Sequence, residues 1–142
     1  MTTAAEKWGP GPWQDEPDRD RWTDEDTGLS CLAIRFPRTG HWNGYVQVPA
    51  GHPWHRVDFW DLPKVDVHWG VNYADWGIDS VKDAPDLNQS WWVGFSCDHL
   101  GDLTPQEITT DEYGLREGVY RDLRFVRAEI TRLAEQIKEN HQ

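Results

Sequence analysis

The sequence predicts an α+β fold in which a small, mostly antiparallel sheet packs against one long C-terminal helix. Short apolar runs bounded by turn residues, at Leu29–Phe36, Gly44–Pro49 and Ser90–Asp98, have the pattern of buried strands. The linker PRTGHWNG is turn chemistry and joins the first two runs as a hairpin. At the other end, Val119, Leu123, Val126, Ile130, Leu133 and Ile137 recur at steps of four and three, which draws one apolar stripe along a helix over residues 118–139.

In chain order, residues 1–28 carry eight acidic and three basic residues and read as an acidic arm. Trp8, Trp13 and Trp22 are placed to pin it to the body. After the hairpin, AGHPWHRVDFWDLP is a long polar and aromatic loop, a kind of segment that carries function when a scaffold positions it. KVDVHWGVNYA reads as a strand with Val65, Val67 and Trp69 on one face and Asp66 and His68 on the other. In SWWVGFSCD, Trp91, Val93, Phe95 and Cys97 share a face, and Trp92, Gly94, Ser96 and Asp98 share the opposite one. Thr104, Pro105 and Glu107 form a capping box that starts a short helix. On the C-terminal helix, Arg121, Arg124, Arg127, Glu129, Arg132 and Glu135 fall outside the apolar stripe. The 142 residues suit a single domain.

Composition narrows the function classes. The formal charge of −11 opposes binding to DNA or RNA polymers, because that affinity comes from Lys and Arg neutralising phosphates. It is compatible with a small nucleotide held by a local donor cluster, or with a cation. No apolar run approaches the ~18 residues that span a bilayer, so no membrane partner is expected. MTTAAEKWGPGP has no apolar h-region, so no signal peptide and a cytoplasmic location are expected. Cys31 and Cys97 read as reduced, buried thiols, and a C-x-x-C zinc motif is absent. Of the ten tryptophans, Trp42, Trp54, Trp60 and Trp76 sit in polar stretches. Such rings either stack on a base or sugar, or pack loops onto the core.

The polar chemistry falls into three clusters: His52, His55 and Asp58; Asp66 and His68; and Asp98, His99 and Asp102. Imidazole and carboxylate transfer protons near neutral pH and bind cations. The bland alternative is a set of surface pairs, turn caps and loop hydrogen bonds. P-loop, GxGxxG, GxSxG, HExxH and EF-hand patterns are all missing.

GYVQVPAGHP, VDVHWGVNYA, WWVGFSCDHLGD and YRDLRFVRAEITRLAEQI together resemble a family of small phage and prophage proteins, as does TGLSCLAIR. Their pattern is GYVxVPxGHP, a VHGG-like strand, GFDCAHxGD and a Tyr-led C-terminal helix. The resemblance runs from about Trp22 to Ile137 and matches the polar positions His52, His68, His99 and Asp102. Trp69 stands where that pattern has Gly. Ser96 and Asp98 stand where it has Asp and Ala, so the carboxylate has moved one pleat along the strand. The resemblance implies a counter-defence context, in which small proteins sequester or cleave host nucleotide immune signals.

The leading expectation is hydrolysis of a phosphodiester in a small nucleotide, of the cyclic dinucleotide class. His68 and His99 act as general base and acid, Asp98 or Asp102 orients a histidine, and His52 binds a phosphate oxygen. Tyr73 and a loop tryptophan hold a base. No cofactor is required; a divalent metal, if bound, takes the same His and Asp ligands. The second expectation is a sponge that holds cyclic dinucleotide or ADP-ribose-type ligands uncut through Trp54, Trp60, Trp76, His52, His55 and Arg56, as a homo-oligomer joined through the C-terminal helix. The third is an acidic protein that blocks a host factor.

Overall fold

The computed structural model describes residues 4–140. Five strands form one antiparallel sheet: β1 Arg19–Thr23, β2 Ser30–Arg35, β3 Trp42–Val48, β4 Tyr73–Trp76 and β5 Trp91–Ser96. Their order across the sheet is β1-β2-β3-β5-β4. Helix α1 spans Ala4–Trp8, α2 Pro105–Thr110 and α3 Leu123–Glu139. The expected α+β architecture is present, with α3 lying on β2 and β3.

The central strands are apolar on both faces because both faces are covered. On one, Cys31, Ala33, Val46, Val93 and Phe95 pack under Val126, Ile130, Leu133 and Ile137 of α3. On the other, Leu32, Ile34, Tyr45 and Trp92 pack under Ile78, Val81 and Leu87 of the β4–β5 connection. The alternation read in β5 therefore separates two cores. Each fully buried aliphatic side chain contributes about 1.5–3 kcal/mol. The apolar stripe of α3 from Val126 to Ile137 is buried on its own sheet. Among the described residues, no helix is long and apolar enough to cross a membrane.

Several elements differ from expectation, including the short helix α1 in the arm and the run of β4 through Asp75 and Trp76. The acidic arm contains β1, whose outward Arg19 and Arg21 pair with Asp83 and Asp86. A charged edge strand has a loop's composition, and charge is what keeps such an edge from pairing with other chains. The segment from Val65 to Trp69 lies outside the sheet and is not a strand: it turns at Val67–Trp69, where the Gly70 N–H donates to the Val67 carbonyl at 2.8 Å. Val65 and Val67 do point inward, while the backbone N–H and C=O of Asp66 bond the Gln136 side chain, each at 2.8 Å. The alternation holds from Val65 to Val67 and ends at the turn, and the partner of Asp66 is a helix side chain rather than a strand. Finally, α3 begins at Leu123, not at residue 118. Asp122 caps it by accepting from the Phe125 N–H at 2.8 Å, and Val119 is exposed. The capping box at Thr104 and Glu107 forms as read.

The arm is fixed by Glu16. One carboxylate oxygen accepts from the Leu123 N–H at 2.6 Å, satisfying a free donor in the first turn of α3. The other accepts from the Tyr120 hydroxyl at 2.5 Å and from buried Arg35 at 3.1 Å. Arg35 also binds Asp18, donates to the Gly40 carbonyl and lies over the Trp42 ring.

Candidate functional site

The site is assembled around Asp102. At the end of β5 the chain turns through His99-Leu100-Gly101-Asp102, closed by the Asp102 N–H donating to the His99 carbonyl at 2.9 Å. Gly101 has φ 92°, the left-handed backbone that glycine accepts freely. The Asp102 carboxylate accepts in return from the His99 N–H at 3.1 Å. Residues 101–103 then pair with Val119, and this pairing delivers Arg121. Gly118 permits the approach: a Cβ there would lie 2.7 Å from the Gly101 carbonyl oxygen.

The Asp102 side chain is fully buried. Its Oδ1 accepts from Arg121 Nε at 2.8 Å, and its two oxygens lie 3.0 and 2.8 Å from His68 Nε2. An ionised carboxylate only accepts hydrogen bonds, so Nε2 of His68 carries the proton and Nδ1 is left as the basic nitrogen. Burial alone pushes the Asp102 carboxyl upward. Hydrogen bonds from Arg121, His68 and the His99 backbone outweigh it and hold the group below its ordinary range. Phe125 buttresses both partners: the His68 ring meets its edge at 5.1 Å, and the Arg121 guanidinium lies 4.8 Å from its centroid.

His99 lies beside this pair, with ring centroids 6.4 Å apart. Its Nε2 is 3.3 Å from the Ser96 hydroxyl, which also accepts from Asn72 at 2.8 Å. Its face stacks on Trp69 at 5.2 Å and an interplanar angle of 19°. Trp69 has φ 58° and the residue is 58% exposed. A bulky residue in that conformation costs roughly 1–2 kcal/mol. The turn lifts the indole off the buried face it was expected to share with Val65 and Val67, and lays it against His99.

His68, His99 and Asp102 thus come together. Asp98 shares one cleft with His99 and Asp102, but its carboxylate turns toward buried His41, whose Nε2 is 3.8 Å away, and both line a neighbouring cleft. Asp66 points outward to Arg132. His52 is buried at the far end of α3, where its Nε2 donates to the Ile137 carbonyl at 2.6 Å while Nδ1 accepts from the Trp54 N–H at 2.9 Å. Ile137 is twelve residues beyond Phe125, about 18 Å along the helix. His52 is therefore a tie between loop and helix, remote from His68, and the expected single grouping of His52, His68 and His99 does not form.

Trp54 and Trp42 are buried, so neither offers a free stacking face. His55 packs edge-on against Trp76, which meets Trp91 in the same way. Arg56 is exposed, with φ 66°. Trp60 is exposed and rests on Phe59. Tyr73 lines the cleft beside Asp98 and donates to the Gly77 carbonyl at 2.7 Å. Cys31 and Cys97 are buried free thiols. Among the described residues, no group of three or more His, Cys, Asp or Glu side chains is placed to hold a metal ion.

Sequence reasoning missed Arg121 as a partner of Asp102, having placed it on an outer helix face, and missed His41 entirely. The pairing of 101–103 with 118–120 that brings Arg121 in has no local sequence signal. No protein-family model, curated protein or solved structure matches the chain.

Proposed function

We propose that the protein hydrolyses a phosphodiester bond in a small nucleotide, with His68 as general base and His99 as general acid. The observation that carries this is the pair of imidazoles 6.4 Å apart, one of them held by a buried, arginine-paired carboxylate. Such a pair serves a reaction in which one proton leaves an attacking hydroxyl while another reaches a leaving oxygen.

Asp102 holds the tautomer that makes His68 Nδ1 the acceptor. A ribose 2′-hydroxyl or a water gives its proton to that nitrogen, and its oxygen attacks phosphorus. The bond to the leaving oxygen breaks, and protonated His99 supplies that oxygen with a proton. The Ser96 hydroxyl lies at His99 Nε2 and accepts from its N–H, so the proton given to the leaving oxygen comes from Nδ1. Arg121 engages Asp102 through Nε; its Nη donors suit a phosphate oxygen. The exposed face of Trp69 gives a base a stacking platform worth about 1–3 kcal/mol. On this reading the protein removes a nucleotide signal, the counter-defence role that the sequence resemblance implies. No cofactor is needed, and a chelator tests for a divalent ion.

The test incubates the protein with a panel of cyclic dinucleotides and ADP-ribose isomers, with and without chelator, followed by chromatography before and after heating. The expected result is loss of a parent peak and growth of linear products. A ligand that disappears and returns intact on heating identifies a sponge instead. No depletion of any member overturns both nucleotide readings and leaves the acidic surface as the functional feature.

A further inference from the structure

On the sheet face away from α3, a cleft of about 250 Å³ lies between the strand ends of β3 and β5 and the entry to β4. Tyr45 and Tyr73, edge to face at 5.3 Å, make one wall, and Phe36 stacked on His41 makes another. The polar groups presented there are unequal. Oδ1 of Asn43 is buried and makes no hydrogen bond of ordinary geometry among the described residues, although the Asn43 side chain interacts with its cleft neighbours His41 and Tyr45. The Asp98 carboxylate is 46% exposed, and its 3.8 Å separation from His41 Nε2 is too long for a hydrogen bond. Nδ2 of Asn72 is already engaged by the Ser96 hydroxyl, and the Tyr73 hydroxyl by the Gly77 carbonyl. The cleft therefore offers an accessible carboxylate and, deeper, an incompletely satisfied amide oxygen between aromatic walls. A buried acceptor left unpaired costs about 1–3 kcal/mol, which a ligand donor would recover.

We infer that this cleft binds a planar heterocycle through adjacent N–H donors, the edge that guanine presents with its N1–H and N2 amino group, an inference that rests on reading the protein as one that acts on nucleotides. Adenine fits less well, because its ring nitrogen N1 is an acceptor and would face the carboxylate. Hypoxanthine keeps N1–H but lacks the amino group. The cleft also joins the proposed reaction centre directly: Ser96 lines it and contacts His99. A base seated there places the rest of its nucleotide toward His99 and His68.

Titration calorimetry with guanosine, inosine and adenosine 5′-monophosphates tests the cleft alone, since none of the three contains a phosphodiester to cut. The guanosine nucleotide is expected to bind, and the other two to bind at least roughly tenfold more weakly. Asp98→Asn keeps the shape and removes the charge; it is expected to weaken guanosine nucleotide binding by about ten- to a hundredfold. Asn43→Ala is expected to act in the same direction, and if it unfolds the protein, the exposed Asp98 site still decides the question. Equal affinity for guanosine and inosine nucleotides, absence of guanosine nucleotide binding, or an unchanged Asp98→Asn variant overturns the inference. Guanine-selective binding without cleavage of any phosphodiester keeps the cleft and removes the hydrolytic reading. Cleavage without base selectivity does the reverse.

Discussion

Arg121 Nε donates to Asp102 Oδ1 at 2.8 Å, and this pair determines how His68 is held. The carboxylate is fully buried, and an unpaired charge there would be costly. With Arg121 neutralising it, Asp102 remains an acceptor for His68 Nε2 whether or not the imidazole itself is charged. Asp102→Asn should therefore affect two properties at once. The amide leaves Arg121 without its counter-ion and can present an N–H to His68, favouring the wrong tautomer. We expect a stability loss of about 1–3 kcal/mol in urea titration. Turnover should fall by roughly a hundredfold or more. A variant with wild-type turnover removes Asp102 from the mechanism.

Two buried groups give the fold a defined response to acid. His41 is held below its ordinary 6.5, chiefly by burial, which outweighs the opposing pull of Asp98. The unfolded chain then takes up the proton first. The stability contributed by neutral His41 is present above pH 6.5 and is lost as pH falls through its lower folded value. Asp102, held below its ordinary 3.8, contributes stability that is present above that value and lost on further acidification. Urea stability should thus fall in two stages, and the His41 ring resonances should titrate below pH 6.5. A His41 midpoint above 6.5 contradicts the assigned environment.

Glu16→Gln tests the pinning of the arm. The substitution removes one of the two carboxylate charges that Arg35 faces, leaving Asp18, and weakens the acceptor at the first turn of α3. A loss of about 1–3 kcal/mol is expected in chemical denaturation, with turnover largely retained by the folded fraction. A change below about 0.5 kcal/mol, the size of an ordinary surface substitution, shows that the arm is not held through this carboxylate.

Trp69→Gly separates strain from recognition. Glycine relieves the φ 58° conformation but adds freedom to the unfolded chain. Those effects oppose one another, so stability should change by less than about 1 kcal/mol. Nucleotide affinity should fall by roughly five- to a hundredfold, the worth of one stacking platform. Unchanged affinity assigns the indole no role in holding a base.

Much of the scaffold is legible in the sequence because its signals are local. The β5 alternation, the Thr104 capping box and the stripe from Leu123 to Ile137 each depend on residues a few positions apart. The site is legible only in part. His68, His99 and Asp102 stand out by residue type, and Gly101 before Asp102 marks the turn. Arg121 was hidden because it arrives through a pairing between residues 101–103 and 118–120. Asn43, Asn72 and His41 were hidden because the cleft exists only once β3 and β5 are paired. His52 looked equivalent to His68 because composition cannot distinguish an imidazole tying a loop to a helix end from one held on a carboxylate.

Turnover by His68→Ala and His99→Ala, each shown to be folded by thermal unfolding, on whichever cyclic dinucleotide or ADP-ribose isomer the wild type cleaves, decides whether these two imidazoles do the chemistry. Each variant should lose roughly 10²–10⁴ in kcat, the contribution of a positioned acid or base. Full turnover in either variant contradicts the paired role, and failure of the wild type to cleave any of these compounds contradicts the phosphodiester reading itself.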